Sequence, residues 1–383
     1  MLNIQSLRDL NSRNTPYYFY DTTILTNTLI ALNEASLPKN YHVHYAMKAN
    51  SNIPILHTIK NHNIGIDCVS GNELKLAIEQ GFDTSKIAFA GVGKTDDEIN
   101  LAIEHNILSI NCESIQEIQI IADLAERKNK IVNISLRINP NLDADTHPNI
   151  TTGTLLNKFG INIEDIDIAI ELCKNLRNIN LNGIHFHIGS QIRTEKPYVN
   201  LCDKVNSLVQ SLTTKGIALD MVNLGGGLGI NYTDPDSELI PDFEGFFSVF
   251  HKHLNLPHAI NVHFELGRSI VGQCGNLVTK TLFTKGNHIK EFVIVDAGMT
   301  DLMRPALYNG YHKIQNISSV KPNKIYEVVG PICETTDTFN KQVSLPETTR
   351  GDLLVIRSVG AYGEVMASNY NLRVKPIAYY SLN

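Results

Sequence analysis

The sequence predicts a (β/α)8 barrel followed by a mainly β domain, and three observations carry that expectation. Short β-favouring runs alternate eight times with amphipathic helical stretches before about residue 268. Several of those runs end in polar, charged or glycine residues where an ordinary buried strand would simply turn. Beyond residue 268 the rhythm changes to strands separated by turn-rich segments with little helix between them. A chain of 383 residues, 43% of them hydrophobic, is long enough for two such domains.

The runs lie at 42–47, 64–69, 87–92, 108–112, 133–138, 182–188, 221–224 and 262–266. Between them, "SGNELKLAIEQG" and "TDDEINLAIEHN" each open on a Ser or Thr cap with a carboxylate in the first turn and close on Gly or Asn, which predicts helices. Eight alternations fit a closed barrel better than a doubly wound sheet. "EFVIVDAG", "KIYEVVG", "DLLVIRSVG" and "VKPIAYYS" then read as strands of the second domain. The expected boundaries are 23–267 for the barrel and 268–383 for the β domain, joined by an N-terminal strand within 1–22.

The net charge of −6 argues against a nucleic-acid or anionic-membrane partner. No apolar run is long enough to span a bilayer, and "MLNIQSLRDL" lacks the basic start and apolar stretch of a signal peptide, so a cytoplasmic protein is expected. The six cysteines are scattered without a CxxC, which indicates neither a zinc knuckle nor a disulfide framework, and no metal site is expected.

In a barrel, chemistry sits at the carboxyl ends of the strands. The first run, "HVHYAMKAN", ends in Lys48. A lone lysine there is ordinarily a strand emerging into solvent; held in a pocket, its amine can attack a carbonyl and form an imine. The sixth run ends in "IHFHIGS", with His185 and His187 two apart; the seventh in "NLGGGLG"; the eighth in "HFELGRS", with Glu265 and Arg268. Each has a plain structural reading as packed histidines, a tight turn or a surface ion pair, but their coincidence at one rim points to a site. The glycine run is not a dinucleotide fingerprint, because the third glycine is missing and no helix follows, and "AFAGVGKT" lacks the first glycine of a P-loop. What remains in Gly225, Gly226 and Gly227 is a candidate anion nest suited to a phosphate. An imine-capable lysine, a phosphate nest and a carboxylate that can keep a pyridine nitrogen protonated describe pyridoxal 5'-phosphate, with Glu265 in the last role.

"YAMKAN", "GIDCVSGNEL", "THPNITTGTLLNKFGI", "HFHIGSQI", "ELGRSIVG", "DAGMTDLMRPALY", "GPICETTD" and "GAYGEVMASNYN" run nearly end to end, and on them the chain resembles the fold-type III pyridoxal-phosphate decarboxylases, most closely those acting on diaminopimelate. The resemblance implies a cofactor-binding set of Lys48, His187, Ser190, Gly225, Gly226, Gly227, Glu265, Gly267, Arg268 and Tyr362, with Lys48 holding the cofactor as an imine and His187 stacked on its ring. It implies Arg268, Arg304 and Tyr308 on the retained substrate carboxylate, Glu334 on the distal ammonium, and Tyr362 touching both ligands. The catalytic set is Lys48, His187 and Cys333, the last as proton donor to the carbanion. It also implies a small amino-acid substrate and a homodimer whose β domains lend Cys333 and Glu334 to the partner's barrel. Leu266 stands where the family often has proline, and Glu364 and Ala367 occupy positions that vary. A decarboxylase of ornithine, arginine or carboxynorspermidine, an amino-acid racemase, whose second base would be a tyrosine where "ICE" stands, and a non-catalytic pyridoxal-phosphate carrier are the competing readings. "MRPALY" speaks against ornithine and arginine, whose lack of a distal carboxylate would leave Arg304 and Tyr308 without a task.

Overall fold

The computed structural model describes residues 13–142 and 157–381. Of the expected N-terminal strand, residues 1–12 lie outside the described residues, as do residues 146–156 of the "THPNITTGTLLNKFGI" motif. The described residues form two compact units, one of residues 29–142, 157–229 and 242–267, the other of residues 13–28, 230–241 and 268–381. Strand β1 (Tyr17–Tyr20) belongs to the second unit and is fully buried.

The first unit is a closed barrel. Its strands are β2 (Tyr41–Ala46), β3 (Gly65–Cys68), β4 (Ile87–Phe89), β5 (Ser109–Cys112), β6 (Val132–Asn139), β8 (Ile179–His185), β9 (Met221–Asn223) and β10 (Asn261–Leu266), with the two-residue β7 (Ile161–Asn162) attached to β6. They pair in parallel in chain order, β5 joins β6, and β10 returns to β2 with Glu265 opposite His44, so no edge is left in the eight-strand ring. Strands β3, β4, β5 and β9 are buried at every position, as expected of parallel strands covered by helices on one side and barrel interior on the other. The expected helices are Gly71–Glu79 and Asp96–Glu104. Ser70 Oγ accepts the Glu73 N–H, Thr95 and Glu98 form a reciprocal capping box, and Gly81 and Asn106 turn the chain out of the helices at positive φ (73° and 47°).

Two runs end well short of the sequence reading: the one expected at 87–92 is a strand only over Ile87–Phe89, and the sixth run also stops early. The run expected at 182–188 is a strand from Ile179 to His185, because its neighbour β9 ends at Asn223 and the ladder stops after Phe186 N–H reaches Asn223 O. His187 therefore sits on the loop beyond the strand.

The second unit is mainly β: β11 (Gly275–Gly286), β12 (Glu291–Val295), β13 (Ile314–Asn316), β14 (Asn323–Val329), β15 (Thr338–Pro346), β16 (Leu353–Ile356) and β17 (Ile377–Tyr380). The long strand β11 organises it, pairing antiparallel with β1, β16 and β12, while β1 also runs parallel to β17. Tyr17, Phe19, Val278, Ile317, Leu353 and Val355 form a buried cluster, and Tyr379 closes it edge-on to Tyr17. Among the described residues no helix is long and apolar enough to cross a membrane.

Candidate active site

Lys48 stands in a single 3-10 turn, Met47–Ala49, that stops β2. The turn is fixed from both sides: Asn50 N–H reaches Met47 O, and the Tyr45 hydroxyl donates to Asn50 O at 2.8 Å. Met47 and Ala49 are buried, and the Lys48 side chain between them is 36% exposed. Its ammonium does not simply dissolve in solvent. Nζ lies 3.0 Å from Oδ2 of Asp67, a residue of β3 with no exposed surface, whose Oδ1 has no partner among the described residues. Burial, then the nearby Glu265 charge, pushes the Asp67 carboxyl up to about 7 against the pull of Lys48.

Glu265, on β10, is the other buried acid of this rim. It accepts from His185 Nε2 at 3.0 Å and from the side-chain amides of Asn223 at 2.8 Å and Asn111 at 3.4 Å. Burial raises its carboxyl, but His185 and then Lys48 outweigh that and hold it well below the usual carboxylate range. The rim thus keeps one carboxylate firmly ionised beside a second that is easily protonated.

His187 is half-buried, and its Nδ1 accepts the Gly226 N–H at 3.3 Å. Burial first, then the charges of Lys48 and Arg137, push its ring down to about 3, so it is a flat neutral surface at neutral pH. The Gly225 N–H donates to Asn223 Oδ1 at 2.9 Å. Two of the three amides expected to form a nest are therefore turned onto side chains. The glycines are required for close approach instead: a Cβ on Gly226 would lie 1.9 Å from Glu265 O, and one on Gly225 (φ 68°) 2.3 Å from Phe186 O. Gly267 packs on Ala46 and Ala49 at the base of the Lys48 turn, and Ser190 is half-buried on the loop after β8. At the end of β6, Arg137 and Glu113 form a buried ion pair of 2.7 Å, and Glu113 also accepts the N–H groups of Gly91 and Gly160.

In the second unit, Arg268 and Arg304 are buried around Tyr232. Arg268 Nη1 donates to the Tyr232 hydroxyl at 2.6 Å and its guanidinium lies 5.0 Å from the Tyr362 ring centre, while that of Arg304 lies 4.7 Å from the Tyr232 ring centre. Burial opposes ionisation of the Tyr232 phenol, yet the two guanidiniums outweigh it and lower its pKa. Tyr362 holds φ at 57°, a left-handed backbone that a tyrosine adopts at a cost of roughly 1 kcal/mol or more. Tyr308 is half-buried at the end of the short helix Arg304–Tyr308. Cys333 and Glu334 are exposed on a loop that buried Asp337 shapes by accepting the N–H groups of Ile332 and Met299. Asn371 Oδ1 accepts the Cys333 N–H, and the Tyr370 hydroxyl donates to Glu334 at 2.9 Å.

Lys48, His187, Glu265 and the glycine run are thus assembled at one end of the barrel, and Arg268, Arg304 and Tyr362 around one tyrosine in the other unit. The sequence reading missed Asp67, Asn223 and Tyr232. Asp67 was accessible to the logic that picked out Lys48, since "GIDCVSG" sets a carboxylate at the end of an apolar barrel run; the others carry no local signal.

Residues 27–272 match the family model described as pyridoxal-dependent decarboxylase, pyridoxal binding domain. A diaminopimelate decarboxylase of Bacteroides thetaiotaomicron is 49% identical over 368 residues, which are 96% of this chain and 95% of that protein. This chain belongs to the diaminopimelate decarboxylase family. Among solved family structures, that of Helicobacter pylori complexed with L-lysine superposes with a TM-score of 0.93 at 38% identity, covering 99% of this chain and 94% of that one. That of M. jannaschii in co-complex with L-lysine gives 0.89 at 34% identity, covering 98% and 89%.

The barrel rim fits the family's pyridoxal phosphate. It offers a partly exposed amine on a fixed turn, an ionised buried carboxylate, a neutral flat imidazole, and a glycine run that lets backbone pack where a side chain would collide.

Proposed function

We propose that the chain removes one carboxyl group of meso-2,6-diaminopimelate as carbon dioxide and leaves L-lysine, the last step of lysine biosynthesis, acting as a cytoplasmic homodimer. The observation that carries the choice of substrate is Arg304. It is buried, and the groups that act on its charge are Tyr232, Arg268, Tyr362 and Tyr308, with no carboxylate among them in the described residues. A buried cation without an acid partner is costly unless an anion arrives with the ligand. The carboxylate that survives decarboxylation is that anion, and a guanidinium fork suits it.

When bound, pyridoxal phosphate supplies the electron sink for the carbanion left by loss of carbon dioxide. Lys48 would hold its aldehyde carbon, with Asp67 as the carboxylate within reach of the amine's proton. Glu265, kept ionised by His185, would keep the ring nitrogen protonated, and His187 would lie against the ring. Ser190 and Gly227 would serve the phosphate side. Arg268, Arg304 and Tyr308 would orient the retained carboxylate, Glu334 would read the distal ammonium, and Cys333 would deliver the proton to the α-carbon. In the proposed twofold dimer Cys333 and Glu334 act in the partner's site.

The test is to incubate purified protein and pyridoxal phosphate separately with meso-diaminopimelate, ornithine and carboxynorspermidine and to measure carbon dioxide. Release from diaminopimelate alone is expected. Faster release from ornithine or carboxynorspermidine would overturn the assignment.

A further inference from the structure

The Arg304 side chain is held by a histidine, and the chemistry of the bond fixes that histidine's protons. Arg304 Nη1 lies 2.7 Å from His312 Nε2, and His312 Nδ1 lies 2.8 Å from the backbone oxygen of Arg357. A guanidinium has no lone pair to offer and a carbonyl has no proton. His312 Nε2 must therefore be the bare acceptor and Nδ1 the donor, which makes the imidazole neutral. Its surroundings agree: it is 1% exposed, and burial, then the Arg304 charge, pushes its pKa well down.

The imidazole is itself rigidly placed. Its ring packs edge-on against Tyr232 at 5.0 Å. The carbonyl it donates to belongs to Arg357, 2% exposed, whose side chain is tied to Asn276 Oδ1 at 3.0 Å, to Gln315 Oε1 at 2.9 Å and to the Asp236 carboxylate at 3.2 Å. Arg357 takes the carboxylate in this relay, and Arg304 takes the neutral end. A carboxylate in the place of His312 would also aim Arg304, but it would neutralise the guanidinium and compete with any incoming carboxylate.

We infer that His312 is a positioning and specificity-determining residue, which aims Arg304 at the retained carboxylate of the substrate while leaving the guanidinium's charge available to it. The inference rests on the reading of Arg304 given under the proposed function.

The experiment compares wild type with His312→Ala, His312→Gln, His312→Glu and Arg304→Lys in the cofactor-loaded protein. It measures KM and kcat for meso-diaminopimelate and competitive inhibition by L-lysine, which keeps the carboxylate, and by cadaverine, which lacks it. Losing a hydrogen bond to a charged group should raise KM and the L-lysine inhibition constant roughly tenfold in His312→Ala. The effect on kcat and on cadaverine should be smaller. His312→Gln, a neutral acceptor, should recover part of the lysine-over-cadaverine preference. His312→Glu should not, although it can accept from Arg304. If Arg304→Lys loses the preference while His312→Ala or His312→Glu keeps it at the wild-type value, His312 does not set Arg304 and the inference falls. If Arg304→Lys itself keeps the preference, the reading of Arg304 as the carboxylate grip is what fails. Should His312→Ala not fold, the Gln and Glu variants decide in the same way.

Discussion

Asp67 and Glu265 share one barrel rim and one lysine, yet their carboxyl groups are driven in opposite directions. Glu265 accepts from His185, Asn223 and Asn111 and lies near the Lys48 charge, all of which favour its ionised form, whereas Asp67 has Lys48 and an orphaned oxygen. A folded-state value near 7, raised above the unfolded value of roughly 4, stabilises the protein fully below that unfolded value, and the contribution is lost as pH rises through about 7. In cofactor-free protein, Asp67→Asn should therefore gain on wild type in stability as pH rises from about 4 to about 7 and then hold a constant lead. Urea denaturation at a series of pH values reads this directly, and parallel curves would remove the strained carboxyl from the account. Lys48 and Glu265 were legible in the sequence because each interrupts or closes an apolar barrel run. His312 was not: "YHKIQ" looks like any polar approach to a strand, and its role exists only because β16 brings the Arg357 carbonyl to it.

At the scale of elements, the helices and strands were legible because several levels agree. Ser70 and Thr95 cap, apolar spacing buries one helix face, and Gly81 or Asn106 ends the helix. The glycine run was legible as a place without side chains but not as to purpose, since the partners of its amides, Asn223 and His187, come from β9 and the loop after β8. Close packing makes a sharp prediction. In Gly226→Ala the new Cβ would meet the Glu265 carbonyl at 1.9 Å, and backbone on both sides cannot yield without moving β10. The variant should lose about 3 kcal/mol or more of stability by urea denaturation and bind pyridoxal phosphate poorly. Gly93→Ala, where nothing lies within 4 Å of the new Cβ, should stay within about 0.5 kcal/mol of wild type.

For the whole molecule, the two-part architecture followed from a change of rhythm near residue 268, where strand-helix alternation gives way to strands and turns. The assignment of residues 230–241 to the β unit did not, because that segment carries Tyr232 and Asp236 to partners, Arg268 and Arg357, that are remote in sequence. The proposed shared sites predict complementation. Lys48→Ala and Cys333→Ala should each be inactive, and mixing them with subunit exchange should restore activity up to about a quarter of wild type, since half of randomly paired dimers are mixed and each has one intact site of two. Exchange shown by tagged co-purification without recovered activity would place Cys333 in its own chain's site or outside it. Borohydride reduction of the pyridoxal-phosphate-loaded protein followed by peptide mapping shows whether Lys48 is the cofactor's anchor around which this barrel is built. The label should fall on Lys48 in the "YAMKAN" peptide and be absent from Lys48→Ala, whose visible cofactor absorbance should also be lost; a label on any other lysine in the wild-type protein would contradict the account.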